Sequence, residues 1–296
     1  MLKKIKVGLA LGGGGARGFA HIGVLKALEE ADIEVSYLSG ISMGAIMAAG
    51  YAHKKNLKRL EKHVLDFKYL DFVKPHKQDI LMDINKITAY FDKYLGNSNF
   101  SDLQIPLQVL TTDLREMRGF VINKGKVSKA IAASSTTPYI HKPIQYDDRL
   151  LVDGGLISDV PIELVDHPDI DMIIGVKVTT KAKFDEQDNL HMSNFQKMMI
   201  AKFPPISLLW YKQINNYMKH SKKIVNNELA ELRVSMIRKP LLMIEPELGN
   251  INTLSFEKAH EAIEAGYVAT VKALNTDNNI LDYQRIIDRG SLHPTL

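Results

Sequence analysis

The stretch IEVSYLSGISMGAIMAAGY, residues 33–51, decides how this chain is read. Ile33 to Leu38 has the makings of a β-strand, and Ala45 to Tyr51 those of a helix built from small residues. Between them Gly40-Ile41-Ser42-Met43-Gly44 is a G-x-S-x-G sequence in the strand–turn–helix setting that a nucleophile elbow requires. A turn that sharp presses positions 40 and 44 against neighbouring backbone, so Gly40 and Gly44 are the residues that fit. Ser42 then projects its hydroxyl from the apex. The helix that follows aims its first amides at the same point, where they stabilise developing negative charge.

Upstream, Ile5 to Leu11 is a short apolar run that ends in Gly12-Gly13-Gly14-Gly15-Ala16-Arg17-Gly18, and Arg17 to Glu30 continues with Phe19, Ile22, Leu25 and Leu28 at helical spacing. This strand, glycine loop and helix contain G-x-G-x-x-G, which by itself also suggests a dinucleotide loop. A nicotinamide site would place an acidic residue at the end of the second strand. That strand instead ends in Tyr37-Leu38-Ser39 and enters the serine turn, while Asp32 and Glu34 fall at its start. The same glycines can present consecutive backbone amides to an oxyanion, because a missing side chain permits close approach.

Downstream, a partner for Ser42 is needed. The order Ser, acid, His of the classical hydrolase triad finds no support, since His167, His191, His220, His260 and His293 all lie outside strand-end or glycine-turn contexts and read as surface or capping residues. Asp153-Gly154-Gly155 is the better candidate: an acid at the end of the strand Arg149 to Asp153, followed by glycines that leave room for a neighbouring hydroxyl. An isolated Asp, with a reference pKa of about 3.9, is a weak base. It needs a desolvated site, an aligned hydrogen bond and an oxyanion hole that stabilises the product of proton transfer.

Further strands are expected at Ile105 to Leu114, at Gly119 to Lys124 with its turn, at Asp171 to Val178 and at Leu241 to Glu245, with helices over Leu57 to Tyr94, Ala130 to Ser135 and Phe256 to Leu274. Apolar strands alternating with helices imply an α/β fold in three layers, a mainly parallel central sheet with helices on both faces. The organisation expected is a catalytic core over residues 5–180 and a C-terminal extension over 181–296, helical with one strand and packed on the core. Within the extension, Phe195 to Met218 is rich in Met and aromatics and reads as core packing, with a lipid or subunit contact as the alternative.

GGGARG, GISMG and DGG in this order resemble the patatin-like phospholipase family. The similarity runs on through LQVLTTDL (107–114), AIAASSTTPYIHKPI (130–144) and VPIEL (160–164), and so covers about residues 5–180. The resemblance implies a Ser-Asp dyad without histidine. Ser42 is the nucleophile, Asp153 the base, the amides of Gly13, Gly14 and Gly15 form the oxyanion hole, and Met43 N–H is a further donor. Gly12, Arg17, Gly18, Gly40, Gly44, Gly154 and Gly155 support these motifs, Arg17 by fixing the glycine loop through backbone carbonyls. The expected activity is hydrolysis of lipid-like acyl esters; the alternatives are an acyltransferase of the same fold or a regulatory protein that has lost catalysis.

The composition agrees with this expectation and narrows the rest. With no Cys among 296 residues there is no thiol nucleophile, disulfide or metal thiolate, which fits a reducing, cytoplasmic setting. No metal or organic cofactor is implied. A net charge of +4 in scattered Lys clusters, with no zinc-finger spacing and no aromatic-rich basic motif, argues against nucleic acid as a partner. The expected partner is a lipid or acyl-ester substrate; a homo-oligomer and a peripheral membrane contact are both compatible with the sequence. No run of about 18 apolar residues is present.

Overall fold

The sheet is built outward from its first strand, β1 (Lys6–Leu11), in which every residue after Lys6 is buried. Val7, Leu9 and Leu11 belong to the main core, whereas Ala10 belongs to a second apolar cluster with Val160, Ile162, Val165, Ile170 and Ile173. The alternation of β1 therefore serves two faces, as a strand at the centre of a covered sheet must. The computed structural model describes residues 5–66, 84–138, 141–179 and 224–276. The stretch Phe195 to Met218, and residues 67–83 of the expected helical region, lie outside them.

Among the described residues eight strands form one sheet: β1, β2 (Glu34–Gly40), β3 (Leu107–Asp113), β4 (Arg118–Ile122), β5 (Ile144–Tyr146), β6 (Arg149–Asp153), β7 (Met172–Val176) and β8 (Leu241–Ile244). Their order is β5-β6-β3-β2-β1-β7-β8, with β4 paired to β3. The pairings β1–β2, β1–β7, β2–β3 and β7–β8 are parallel, while β3–β4, β3–β6 and β5–β6 are antiparallel. The antiparallel flank brings the end of β6 beside β3, where Asp153 pairs with Thr111. Arg149 fastens this flank through a 2.7 Å ion pair with Asp113 while lying over the Phe120 ring. Burial alone would push the Asp113 carboxyl up, but the Arg149 hydrogen bond and the amides of Arg115 and Glu116 outweigh it and hold the group below its usual range.

The helices are α1 (Ala20–Glu30), α2 (Met43–Lys54), α3 (Leu57–Leu65), α4 (Ile84–Tyr94), α5 (Val127–Ser134), α6 (residues 224–236) and α7 (Ala259–Thr276). α2 packs on β1, β2 and β3, and α5 on β3 and β6. The opposite face carries the 160–170 segment with its single turn Ile162–Val165, and beyond it α6, whose Arg233 meets Glu163. This is a three-layer α/β arrangement. The segment can lie close to the sheet because β1 offers Gly8: a side-chain carbon there would come within 2.7 Å of the Val165 carbonyl oxygen.

The C-terminal part is built into the same body, since β8 extends the sheet beside β7 and α7 packs along α1. The two helices cross at a pair of glycines. A side-chain carbon at Gly23 would lie 1.8 Å from the Ile263 carbonyl oxygen, and one at Gly266 would lie 2.0 Å from that of Ala20. The first turn of α1 is anchored to the end of β1 by the buried His21, whose Nε2 lies 2.8 Å from the Gly12 carbonyl oxygen. Burial drives its pKa down to about 4, only partly opposed by that hydrogen bond, so the ring is neutral and donates through Nε2–H.

Two outcomes follow from this packing. Alanine favours a helix over glycine by about 1 kcal/mol, but overpacking a contact between backbones costs about 1–3 kcal/mol. Gly266→Ala is therefore expected to lower the urea midpoint at unchanged m-value; an equal or higher midpoint would refute the close crossing. For His21, the unfolded ring takes up a proton near pH 6.5 and the folded one only near 4. Its contribution is complete above the unfolded value and is lost as the pH falls through the folded one, a span of about 3 kcal/mol. His21→Gln retains a donor for Gly12 and should lose less unfolding free energy than the wild type between neutral pH and about pH 4. Equal acid sensitivity of the two proteins would contradict this.

Candidate active site

Ser42 stands at the junction of β2 and α2 with φ 52° and ψ −124°, a conformation that a side-chain-bearing residue rarely adopts. Such strain, about 1–3 kcal/mol, persists only where the surroundings over-determine it. Here Gly44 N donates to Ile41 O at 2.8 Å, Ile46 N to Ser42 O at 3.1 Å and Ile41 N to Leu11 O at 3.2 Å. Gly40 and Gly44 leave no room for anything larger: an added carbon would lie 2.5 Å from Ala45 Cα at the first and 2.2 Å from Leu11 O at the second. Ser42 N–H donates to Ser134 Oγ at 2.9 Å, and Ser134 O–H donates in turn to Leu110 O at 2.7 Å. Ser134 thus sits fully buried beneath the elbow.

The glycine loop is held from two sides. Gly12 N donates to Val176 O at 3.0 Å, and Ala16 N to Thr253 O at 3.0 Å. Arg17 Nε reaches Ile251 O at 2.8 Å, so this guanidinium ties the loop to the segment before α7. Gly14 is extended, whereas Gly15 has φ 57° and would place a side-chain carbon 2.3 Å from Thr253 O. Gly18 lies against Met43, whose Cγ would be 2.4 Å from a carbon added there.

Asp153 ends β6 and is almost enclosed. Its Oδ1 accepts from Gly155 N at 2.8 Å, and its Oδ2 from Thr137 Oγ1 at 3.4 Å. Asp153 N donates to Thr136 O, which binds the strand end to the segment after α5. Gly154 allows β6 to turn against β3, because an added carbon would lie 2.5 Å from Leu110 O. The turn beyond is braced by α6: Arg233 Nη2 donates to Ile157 O at 2.9 Å, and Asn226 Nδ2 lies 3.5 Å from Gly155 O.

Ser42, Asp153, Gly13, Gly14, Gly15, Met43 and Gly155 all border one cavity of about 360 Å³. That volume falls at the lower end of small-molecule sites. Gly12, Arg17, Gly18, Gly40, Gly44 and Gly154 do not border it, and their contacts shape the three turns instead. The apolar wall comes from Ile46 and Met47 of α2, Leu60 and Val64 of α3, and Ile87 and Phe91 of α4. From the sequence the region of α3 and α4 reads only as helical, although the spacing of its apolar residues carries the signal of an inward face. Also on the cavity wall is His141, whose pKa burial lowers while the nearby Thr137 carbonyl partly opposes the shift.

The histidines set aside in the sequence are placed as follows. His167 stacks on Tyr37 away from the cavity, His260 is exposed on α7, and His191, His220 and His293 lie outside the described residues. Among the described residues no group of three or more His, Asp or Glu side chains is arranged to hold a metal ion. No helix among them is long and apolar enough to cross a membrane.

Known proteins share these features. An uncharacterized NTE family protein of Mycobacterium bovis is 31% identical over 176 residues, 58% of this chain and 49% of its own length. The patatin-like phospholipase domain-containing protein 6 of Mus musculus is 27% identical over 285 residues, 88% of this chain and 20% of its own length. The chain thus spans about half the length of the first relative and about a fifth of the second. Among solved structures, VipD of Legionella pneumophila superposes with a TM-score of 0.51 at 15% identity over 92% of this chain and 67% of its own, a likeness of fold. The family description "Patatin-like phospholipase" matches residues 9–166, more than half of the sequence, and the chain belongs to the patatin-like phospholipase family.

Proposed function

We propose that this protein is a serine hydrolase of lipid-like acyl esters, with residues 5–180 supplying the reacting groups and residues 181–296 packed on them as support. The observation that carries the reading is that the strained Ser42, the enclosed Asp153 and the glycine-loop residues Gly13, Gly14 and Gly15 border one largely apolar cavity. A relative in Emericella nidulans is named lysophospholipase nte1, and one in Drosophila melanogaster is named neuropathy target esterase sws, which supports ester chemistry on lipids.

In the proposed reaction Ser42 Oγ attacks the ester carbonyl carbon while its proton passes to the Asp153 carboxylate. The carbonyl π electrons move onto oxygen, and the resulting oxyanion is stabilised by amides of Gly13, Gly14 and Gly15 and by Met43 N–H at the start of α2. The engagement of Ser42 N–H by Ser134 supports this choice of donors, because the amide of the nucleophile itself is already used. Collapse of the intermediate expels the alcohol oxygen, which takes the proton back from Asp153 and leaves an acyl-enzyme. Water then attacks the acyl carbon, gives its proton to Asp153, and the second collapse releases the carboxylic acid and returns the proton to Ser42. The hydrogen bonds from Gly155 N and Thr137 Oγ1 fix the Asp153 carboxylate in orientation for both transfers.

Ser42→Ala and Asp153→Asn should each abolish turnover of a short-chain ester such as p-nitrophenyl butyrate, and the double variant should be no worse than either, since the two act as a unit. Retention of more than about a tenth of wild-type kcat by Asp153→Asn, under ~1.4 kcal/mol of barrier, would remove Asp153 from the role of base.

The glycine loop is tested at Gly14, because the one tight contact of an added methyl there is with the Val178 side chain, at 2.7 Å, whereas one at Gly15 would strike Thr253 backbone. Losing one oxyanion donor lowers kcat by about 10² to 10³. Gly14→Ala is expected to remain folded, to lose kcat on that scale and to react more slowly with a fluorophosphonate. A folded variant with normal esterase rates would overturn the oxyanion assignment.

A further inference from the structure

The turn that follows Asp153 is held from outside the part of the chain that matches the family. Gly154 and Gly155 come directly after the proposed base, and two consecutive glycines leave the backbone free to take many conformations. Their single turn, Gly154–Leu156, is closed internally by Ile157 N and Ser158 N, which both donate to Gly154 O. The carbonyl oxygens of Gly155 and Ile157 are met instead by α6, at residues 224–236, whereas the family match ends at residue 166. The orientation of Gly155 matters, because its N–H donates to Asp153 Oδ1 at 2.8 Å, a shorter contact than the 3.4 Å one from Thr137 Oγ1 to Oδ2.

Among the described residues, α6 gives no side chain to either apolar core, its Ile224, Val225, Leu232 and Met236 are exposed, and Asn226 is its one buried residue. Asn226 and Arg233 stand seven residues apart and therefore share a helix face. Both reach the turn. Asn226 Nδ2 lies 3.5 Å from Gly155 O and 3.5 Å from Asp159 Oδ1, so the two hydrogens of one amide nitrogen meet two acceptors at opposite ends of the 155–159 loop. Between them Arg233 Nη2 donates to Ile157 O at 2.9 Å, while its Nε lies 3.3 Å from the Glu163 carboxylate. Asp159 is steadied in turn by Thr179 Oγ1 at 3.2 Å and faces Lys177 Nζ at 3.7 Å. Burying an amide costs free energy unless its groups are bonded. Core packing does not account for an asparagine at this position, whereas fixing the turn does.

We propose that Asn226 and Arg233 are positioning residues for the base: by holding the carbonyls of Gly155 and Ile157 they aim the Gly155 amide at Asp153, and so set the orientation of its carboxylate toward Ser42. Neither residue borders the cavity, and neither exchanges a proton in the reaction. The inference rests on the hydrolase reading and deepens it, since it makes the reaction depend on a helix beyond residue 180.

The test uses the full chain, p-nitrophenyl butyrate as substrate and a fluorophosphonate to count reactive Ser42 sites. Asn226→Ala and Arg233→Ala are each expected to lower kcat per labelled site by roughly tenfold or more at nearly unchanged KM, because slight misplacement of a reacting group is costly. The number of sites labelled at completion should stay that of wild type. Asn227→Ala, the same change one residue along at an exposed position, should behave as wild type. The rate of labelling is the second readout: in an Asp153→Asn background either α6 substitution should slow it no further, since the base to be positioned is gone. A merely structural role gives the opposite pattern, with fewer sites labelled, wild-type kcat per site and a further loss in the Asp153→Asn background, and that pattern overturns the proposal. Wild-type kcat per site in a folded Arg233→Ala overturns it as well, which keeps the test decisive if Asn226→Ala does not fold. Turnover by wild type that is lost in Ser42→Ala upholds the hydrolase reading whatever the α6 variants do. If wild type shows neither turnover nor labelling at Ser42, that reading falls and the positioning role falls with it.

Discussion

The end of β1 and the elbow after β2 touch backbone to backbone, and most of the site is arranged around that contact. At Gly44 a side-chain carbon would come within 2.2 Å of Leu11 O and 2.6 Å of Gly12 O. Ile41 N donates to the same Leu11 carbonyl. Parallel pairing of Leu11 with Gly40 brings the two strand ends level, so the glycine loop leaving β1 and the serine turn leaving β2 emerge side by side. Neither turn could be moved without the other. Ser134 then fills the space beneath Ser42, and the segment after it runs on to Thr136, which takes the Asp153 amide. Three turns distant in sequence are thereby held together by direct backbone contacts and one buried hydroxyl.

Much of this arrangement can be read from the sequence because each strand end carries its own local signal. The apolar runs before Gly12, before Gly40 and before Gly154 are β1, β2 and β6, and Ser42, Asp153, Gly13, Gly14, Gly15, Met43 and Gly155 from the turns that follow border one cavity. Glycine spacing is informative there because the constraint is steric and acts over a few residues. What the sequence does not disclose is pairing. Periodicity has the same form for parallel and antiparallel strands, so the reversal of β4, β5 and β6 beside their neighbours is visible only in the sheet itself. β5, with three residues, is too short to produce a pattern at all.

The walls of the cavity are the other part that sequence leaves obscure. Leu60, Val64, Ile87 and Phe91 belong to helices whose outer faces are polar, and nothing local reveals that their inner faces converge on Ser42. His141 is hidden for a related reason. It follows a proline-containing segment and precedes Lys142 and Pro143, surroundings that suggest an exposed loop. Its enclosure depends on the bond from its amide to Thr137, four residues back, and on the proximity of β6, which is a long-range fact. The contacts of Ser134 are obscure for the same reason, since its partners, Ser42 after β2 and Leu110 within β3, are distant from α5 in sequence.

The anchoring of the glycine loop by Thr253 and Ile251 has a consequence for the order of synthesis. A chain emerging from the ribosome exposes β1, the loop and the elbow well before α7, and domains tend to fold as their residues appear. Yet the bonds from Ala16 N and Arg17 Nε reach carbonyls more than two hundred residues later, and the α1 groove that receives Gly266 is unfilled until α7 emerges. Until those residues emerge the nascent loop lacks the partners that fix its amides. A segment made early in this fold is thus among the last to be completed, and the site cannot reach its final geometry before α7 is made.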